Sequence, residues 1–270
     1  MAIVNRTPDS FYDGGANIEL ARAVGNVERS VADGADLVDI GGVRAGYGPV
    51  VEVAEELRRV LPMVAAVRAR FPDLPISVDT WRAQVAAKAV AEGADLINDT
   101  WAGADGGLVG VAATTGAALV CSHTGGLGPR TDPHRAAYDD VVGDVVTTIT
   151  SAAQRAVAAG VRRDGILIDP THDFGKNTRH SLELTRRLAE LVATGWPVLV
   201  ALSRKDFIGE TLDLPPAERL EGTLAATAVS AWQGALVFRT HDVLATRRVV
   251  DTVASIRGSR PPAVGRRGLA

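Results

Sequence analysis

The sequence predicts a (β/α)8 TIM barrel, in which eight parallel strands alternate with eight helices around one closed sheet. Short apolar runs alternate with longer amphipathic segments along the 270 residues, a length that such a barrel commonly fills as one domain. The runs are continuously apolar, as strands must be when both faces of a parallel sheet are buried. Glycines recur where a helical segment gives way to the next run, which is typical of helix ends. Together these observations favour the barrel.

The junctions between helices and strands repeat one pattern. The segments Gly34–Val38, Gly93–Ile97 and Gly116–Val120 are almost alike, and Gly234–Val237 is a shorter version. This repetition predicts one structural unit used several times around a single architecture. An open, doubly wound sheet is the alternative, but no glycine-rich dinucleotide-binding motif follows any predicted strand.

The boundaries of the elements follow from apolar periodicity and from the glycines and prolines between them. The predicted strands are 2–4, 37–40, 76–79, 95–99, 118–122, 166–169, 197–202 and 235–238. The predicted helices lie near 18–34, 50–70, 83–93, 108–113, 138–160, 177–195, a segment ending near 234, and 242–256. We assign residues 1–257 to one barrel domain and the basic residues 258–270 to a disordered tail.

The overall composition argues against several functional classes. The formal net charge is −3, so no global charge attracts nucleic acid or an anionic membrane. Cys121 is the single cysteine, which excludes a disulfide within the chain. No apolar run approaches the roughly 18 residues of a membrane-spanning helix, and no secretory signal pattern opens the chain. We therefore expect a cytoplasmic protein with small-molecule substrates and no nucleic-acid or membrane partner.

Polar or ionisable residues stand at the carboxyl ends of the predicted strands. In a TIM barrel the active site lies at these ends, so the side chains are expected to share one mouth. Asp169 is a clear case, because Pro170 stops the strand directly after it. A single residue of this kind is often only a turn former, whereas a complete ring predicts a functional site. The ring comprises Asn5, Asp39, Asp79, Asn98, Asp99, His123, Asp169, Ser203, Lys205, Arg239 and His241.

The ring combines hydrogen-bond acceptors with cations. Asp79, Asn98 and Asp169 suit a heterocycle with an amino-pyrimidinone edge, since a carboxylate can accept two parallel N–H groups. Lys205 and Arg239 follow strands seven and eight, where barrels often bind phosphate. The histidines show no paired metal-ligand spacing, so a divalent ion would be Mg²⁺ held largely by phosphate oxygens.

Several of these segments occur as signatures of one enzyme family, in that family's order. They are Asn5–Gly15, Ser77–Thr80, Ile97–Asp99, Asp169–Pro170 with Phe174–Lys176, Ser203–Gly209 and Arg239–Val243. The chain thereby resembles dihydropteroate synthase over nearly its whole length. The resemblance implies a (β/α)8 barrel that joins 6-hydroxymethyl-7,8-dihydropterin diphosphate to p-aminobenzoate with Mg²⁺. It also implies 7,8-dihydropteroate and pyrophosphate as products, and a homodimer.

The same resemblance implies roles for individual residues. Asp79, Asn98, Asp169 and Lys205 would hold the pterin. Asn5 would ligate the Mg²⁺-bound diphosphate, Arg239 and His241 would bind the leaving group, and Lys205 would complete the catalytic set. Phe174, Ser203 and Arg204 would lie near the p-aminobenzoate pocket. Groups of this kind would stabilise the charge on departing pyrophosphate while the amine attacks the methylene carbon.

The loop after the second strand departs from the family pattern. Relatives carry Glu-Ser-Thr-Arg-Pro-Gly after paired glycines, whereas this chain has Val43-Arg44-Ala45-Gly46-Tyr47-Gly48. Ala45 stands at the threonine position and Gly46 at the arginine position, with Arg44 nearby but displaced. Other departures are Arg6 in the first loop, Ser122 before His123, and Thr171-His172-Asp173 after strand six.

These departures leave three functional hypotheses open. The chain is a working synthase with a compensating contact from Arg6 or Arg44, or a paralogue that keeps the pterin site but has weak, lost or altered activity. The third is methyl transfer from a methylated tetrahydrofolate to a corrinoid protein, against which the Ser203–Lys205 and Arg239–His241 motifs argue. His172 and Asp173 are interpreted as an exposed loop rather than a new catalytic pair.

Overall fold

The structure is a computed structural model that describes residues 1–5, 16–44, 46, 48–131 and 137–268. Its strands are β1 Ala2–Asn5, β2 Val38–Gly41, β3 Ile76–Asp79, β4 Leu96–Asp99, β5 Ala118–Ser122, β6 Ile166–Asp169, β7 Leu199–Val200 and β8 Val237–Phe238. Its α-helices are α1 Ala16–Ala32, α2 Val53–Arg70, α3 Ala83–Ala91, α4 Leu108–Thr115, α5 Val141–Ala158, α6 Thr178–Arg186, α7 Leu188–Val192, α8 Asp206–Leu212, α9 Leu220–Gln233 and α10 Val243–Ile256.

The eight strands form a closed parallel barrel. Strands β1 to β6 pair with one another in chain order, and β7 pairs with β8. Single parallel bridges join Ile168 to Val198 and Ala2 to Thr240, which connects β6 to β7 and β8 back to β1. The N–H of Ile3 donates to the carbonyl of Thr240 at 3.0 Å across the closing seam. The predicted TIM barrel is therefore confirmed, and the open-sheet alternative is wrong.

The helix boundaries follow from local hydrogen bonding and from glycine. Glycines 34, 93, 116, 160, 195 and 234 follow helices with φ between 76° and 111°, a left-handed conformation that lets the chain leave the helix. Helix α5 begins at Val141 rather than near 138, because the Asp140 carboxylate caps it by accepting from the N–H of Val142 at 3.1 Å.

Two helical segments are more divided than predicted. The helix after β6 breaks between α6 and α7, where Arg187 has φ −106° and ψ 20° and pairs with Asp140, Glu183 and Glu190. Between β7 and β8 the chain forms two α-helices, α8 and α9, joined by a short 3₁₀ turn at Pro216–Glu218. Periodicity alone did not distinguish these breaks from continuous helices.

The apolar core has an outer layer and an inner plug. Alternate strand residues such as Ile97 and Ile168 point outward and pack against the helices. A smaller cluster lies within the barrel and closes it below the strand ends, formed by Met1, Leu96, Val120, Leu199 and Ala201. The polar residues at the carboxyl ends of the strands therefore stand on an apolar base.

Within the described residues, no helix is both long and apolar enough to cross a membrane. Residues 258–268 follow α10 without further helix or strand, and Arg260 there pairs with Asp251 of α10. The division into a barrel at 1–257 and a disordered tail at 258–270 stays a prediction.

Candidate functional site

The carboxyl ends of the strands open into a cavity of about 660 Å³. All ten residues selected from the sequence line it, namely Asn5, Asp79, Asn98, Asp169, Phe174, Ser203, Arg204, Lys205, Arg239 and His241. They come from six strands or the loops that follow them, so the barrel closure is what brings them together. Their individual roles stay predictions.

The floor of the cavity is an ion-pair network centred on Arg239. Its Nε donates to Oδ2 of Asp39 at 2.6 Å, and its Nη2 donates to Oδ2 of Asp79 at 2.9 Å. Asp39 is fully buried and also accepts from Ser77 Oγ at 2.5 Å and from Asn98 Nδ2 at 3.2 Å. The selection of site residues had left Asp39 out, although its charge within the apolar strand Val38–Gly41 was the available signal.

Asp79 shares the Arg239 guanidinium with the Asp39 carboxylate. Burial raises the pKa of Asp79 to about 7, the Arg239 guanidinium opposes this shift, and the Asp39 carboxylate adds to it. Thr100 Oγ1 donates to Asp79 Oδ1 at 2.9 Å and also lines the cavity. Asp79, which lines the cavity, can therefore present either a carboxylate or a protonated carboxyl group to a bound heterocycle.

Asp169 is held at the end of β6 by its own loop. It is buried, and its Oδ1 accepts from the backbone N–H of Thr171 at 2.7 Å. Burial raises the pKa of Asp169, and the nearby Lys205 ammonium opposes this shift. One carboxylate oxygen is therefore fixed, and the side chain is oriented as an acceptor at the cavity wall.

Lys205 and Phe174 form one side of the cavity. Lys205 Nζ donates to the carbonyl of His172 and lies 5.1 Å from the centre of the Phe174 ring. Phe174 in turn meets the Trp101 ring edge-on, with 5.2 Å between ring centres. Trp101 also lines the cavity but was not selected from the sequence, because it lies two residues beyond the end of β4 and matches no motif.

Ser203 and His241 face each other across the exits of β7 and β8. Ser203 Oγ lies 3.1 Å from His241 Nδ1, and the backbone N–H of His241 donates to the same hydroxyl at 3.2 Å. Burial, together with Arg239 and Arg204, lowers the pKa of His241 to about 4. His241 is thus neutral near pH 7 and acts as a hydrogen-bonding group rather than as a cation.

Arg204 is already paired. Its Nε and Nη2 donate to the two carboxylate oxygens of Asp242 at 3.1 Å and 3.0 Å. Such a two-bond pair fixes the guanidinium plane. Arg204 therefore forms part of the cavity wall, and its positive charge is already balanced by Asp242.

A second buried lysine organises the loop after β6. Lys176 Nζ donates to the carbonyls of His123 at 2.9 Å, Thr171 at 3.2 Å and Phe174 at 2.9 Å. Burial and the neighbouring Lys205 lower the pKa of Lys176 to about 7. The sequence placed Lys176 in a family motif but gave it no role, since a three-carbonyl contact is not visible in a linear pattern.

The interpretation of His172 and Asp173 as an exposed loop is wrong for His172. His172 is fully buried, stacks on Phe207 with 5.5 Å between ring centres, and lies 3.1 Å from Thr185 Oγ1 through its Nε2. Asp173 Oδ2 accepts from the backbone N–H groups of Asp206 at 2.7 Å and Phe207 at 3.2 Å. Asp173 thereby satisfies the start of α8, and neither residue forms a catalytic pair with the other.

Other strand-end residues of the ring do not reach the cavity. His123 Nε2 lies 2.8 Å from Asp144 Oδ2, and His123 lies outside the cavity lining. Asp99 accepts from the backbone N–H groups of Trp101 and Gly103 and so stabilises a turn. From the second loop, Arg44 and Gly46 line the mouth, while Ala45, Tyr47 and residues 6–15, including Arg6, lie outside the described residues.

Comparisons with known proteins identify this type of barrel. The model of the pterin-binding enzyme family matches residues 1–241. The chain is 59% identical to the inactive dihydropteroate synthase 2 of Mycobacterium leprae, over 100% of this chain and 94% of that protein. It is 39% identical to the dihydropteroate synthase of Escherichia coli, over 96% of this chain and 93% of that protein.

A solved structure supports the same assignment. The Xanthomonas albilineans dihydropteroate synthase in complex with 7,8-dihydropteroate superposes with a TM-score of 0.83 at 39% identity, covering 96% of this chain and 93% of that one. The fold and the site define a pterin-binding barrel. The chain belongs to the dihydropteroate synthase family of pterin-binding enzymes.

Proposed function

We propose that this protein binds a dihydropterin diphosphate in the cavity and condenses it with p-aminobenzoate slowly or not at all. The observation that carries the proposal is a contrast within one site. The Asp39–Arg239–Asp79 network and Asp169 are fully assembled, whereas the second loop has Ala45 and Gly46 at the threonine and arginine positions. The M. leprae relative, an inactive synthase by name, is also more similar to this chain than the E. coli synthase.

The pterin would lie against the buried carboxylates. Asp169 offers an acceptor for the amino-pyrimidinone edge, and Asn98 offers both a donor and an acceptor. Lys205, with its ammonium near the same wall, would donate to a ring carbonyl. These groups are pre-positioned by backbone and side-chain hydrogen bonds, which reduces the ordering that binding requires.

The diphosphate would lie above Arg239 and beside His241. Two of the five N–H groups of Arg239 are engaged with Asp39 and Asp79, which leaves three donors for phosphate oxygens. Neutral His241 and the Ser203 hydroxyl would add hydrogen bonds without adding charge. Such donors stabilise the charge that develops on a departing diphosphate.

Mg²⁺ fits this donor set only as a partner of the diphosphate. Within the described ranges, no group of three or more His, Cys, Asp or Glu side chains could hold a metal ion. Asn5 lines the cavity and would supply one amide oxygen, with phosphate oxygens and water filling the remaining positions. When bound, the ion would neutralise phosphate charge, while Asn5 would orient the diphosphate.

The condensation itself is where the second loop matters. An amine must attack the pterin methylene carbon in line with the departing diphosphate, which requires both partners to be held. The family's threonine hydroxyl and arginine guanidinium are absent at positions 45 and 46, and Arg204 is already paired with Asp242. Losing one positioned charge-assisted contact costs roughly 3 kcal/mol in transition-state stabilisation, or a factor of about 100.

Two assays run together test this proposal. Calorimetric titration with the dihydropterin diphosphate should give clear binding. Pyrophosphate release with both substrates at saturation should be about 100-fold or more below that of the E. coli synthase. Equal turnover would contradict the loop argument, and absence of pterin binding would contradict the function as a whole.

We also propose a cytoplasmic homodimer. Three large apolar side chains near the ends of α9 and α10 are exposed. Trp232 of α9 is 57% exposed, Leu236 in the turn after α9 is 68% exposed, and Ile256 of α10 is 67% exposed. Arg257 Nη1 donates to the carbonyl of Ala231 at 2.9 Å, which holds the ends of the two helices together. A contact between two copies would cover these apolar side chains. Light scattering at micromolar concentration should give twice the chain mass, and a monomer would count against the dimer.

A further inference from the structure

Arg130 lies in the segment between β5 and α5 but contacts the second loop on the opposite side of the cavity mouth. Its Nη1 donates to the carbonyl of Arg44, and its Nη2 donates to the carbonyl of Pro49 at 2.9 Å. One guanidinium therefore joins two points of a loop that is more than 80 residues away in sequence. Both contacts are to backbone, so they hold the chain at Arg44 and at Pro49 whatever the side chains there are.

Gly48 provides the room for this contact. A Cβ atom at position 48 would lie 2.3 Å from Arg130 Nη2 and 3.2 Å from Arg130 Cζ. Real side chains do not tolerate the shorter of these distances, so any residue other than glycine would displace the guanidinium. Gly48 stands at the glycine position of the family's loop pattern, and in this chain it accommodates an arginine from another loop.

Arg44 is the side chain that this arrangement presents to the cavity. It lines the mouth, and no hydrogen-bond or ion-pair partner of its guanidinium occurs among the described residues. Burial lowers the pKa of Arg130, and the nearby Arg44 guanidinium adds to this shift. Two like charges held near each other at the mouth of a substrate cavity favour an anion between or beside them.

We infer that Arg130 is a positioning residue, which fixes the second loop so that Arg44 binds the diphosphate of the substrate. This inference rests on the proposed function, since it names a further contact for the same ligand. Arg44 then compensates in part for the arginine that relatives carry at position 46. Arg130 acts through the backbone of the second loop and does not itself line the cavity.

The test compares two ligands that differ only in the diphosphate group. Calorimetric affinities are measured for the dihydropterin diphosphate and for 6-hydroxymethyl-7,8-dihydropterin, which lacks the diphosphate. Arg44→Ala, Arg130→Ala and Gly48→Ala should each weaken binding of the diphosphate ligand about tenfold, the effect of losing one charge-assisted hydrogen bond. Affinity for the uncharged pterin should stay within a factor of two. Arg130→Lys should recover part of the loss, because an ammonium can still reach one carbonyl.

Gly126→Ala is the matched control. Gly126 lies in the same segment as Arg130 and, like Gly48, has a positive φ, but a Cβ atom there would meet nothing within 4 Å, so both affinities should stay unchanged. The double variant Arg130→Ala with Gly48→Ala should be no weaker than either single variant, because both remove the same contact.

Four results would overturn the inference. Unchanged diphosphate affinity in Arg44→Ala would show that Arg44 does not bind this group. Equal weakening of both ligands in Arg130→Ala and Gly48→Ala would assign Arg130 a general structural role. If the wild-type protein binds both ligands with the same affinity, the pterin site is supported and the contact between Arg44 and the diphosphate is contradicted. Failure to bind either ligand would contradict the proposed function together with this inference.

Discussion

The floor of the cavity and its second-loop rim are held by different kinds of contact. On the floor, Asp39, Asp79 and Asp169 lie on strands, and Arg239 directly follows one, so the ladder of the sheet fixes their backbone. On the rim, Arg44 lies beyond the end of β2, and side chains from elsewhere hold that loop by its carbonyls. A change in the rim therefore need not disturb the floor, which is how binding and turnover can separate within one family.

The largest effect is expected from breaking the floor network. Arg239→Met would leave the buried Asp39 and Asp79 carboxylates without their cation and should lower the free energy of unfolding by about 3–5 kcal/mol. Urea denaturation followed by circular dichroism measures this change. Adding Asp39→Asn and Asp79→Asn should restore part of the loss, because the uncompensated charges are then removed.

The control for this variant is an exposed pair. Arg162 and Asp164 interact in a solvent-exposed turn, so Arg162→Ala should leave the unfolding transition where it is. A similar loss of stability in both variants would contradict the view that the floor is a buried, mutually dependent network.

The next largest effect concerns pterin affinity. Asp169→Ala removes the oriented acceptor at the end of β6 and should weaken pterin binding roughly 100-fold, as for the loss of a two-bond charged contact. Calorimetric titration measures it, with Asp164→Ala as the matched carboxylate control outside the cavity. If the affinity of Asp169→Ala remains within a factor of two of wild type, Asp169 is not a pterin ligand.

His241, an exposed residue at the exit of β8, predicts a pH dependence of stability. The pKa of His241 is lowered to about 4 in the folded protein, against an ordinary value near 6.5. As pH falls from 6.5 to 4, His241 becomes protonated in the unfolded chain while it stays neutral in the folded protein. The free energy of unfolding therefore decreases across that window, and His241 causes no further decrease below pH 4. His241→Gln should lose this contribution, and the difference between the two stability-against-pH curves measures it. Parallel curves would mean that His241 titrates normally.

The sequence was most informative where chemistry and periodicity coincide. Continuous apolar runs predicted the strands, and strand-end polar residues predicted eight of the side chains that line the cavity, while Phe174 and Arg204 came from the family resemblance. Contacts between distant segments were not predictable in this way. The sequence placed Asp39 in the strand-end ring but did not show its pairing with Arg239. It also showed neither the three carbonyls that Lys176 binds nor the contact of Arg130 with the second loop. Each of these contacts depends on barrel closure or loop path, which no local pattern encodes.

The smallest effect is expected from restoring one family residue to the rim. Gly46 has φ 122°, a conformation that side-chain-bearing residues rarely adopt, although a Cβ atom there would meet nothing within 4 Å. Gly46→Arg alone should therefore raise pyrophosphate release by less than about tenfold, because backbone strain of roughly 1–3 kcal/mol offsets the gained guanidinium. Combining Gly46→Arg with Ala45→Thr should raise turnover further, while the affinity for 6-hydroxymethyl-7,8-dihydropterin stays constant. A full recovery of turnover by Gly46→Arg alone would mean that a single missing guanidinium, rather than the path of the whole loop, separates this chain from an efficient synthase.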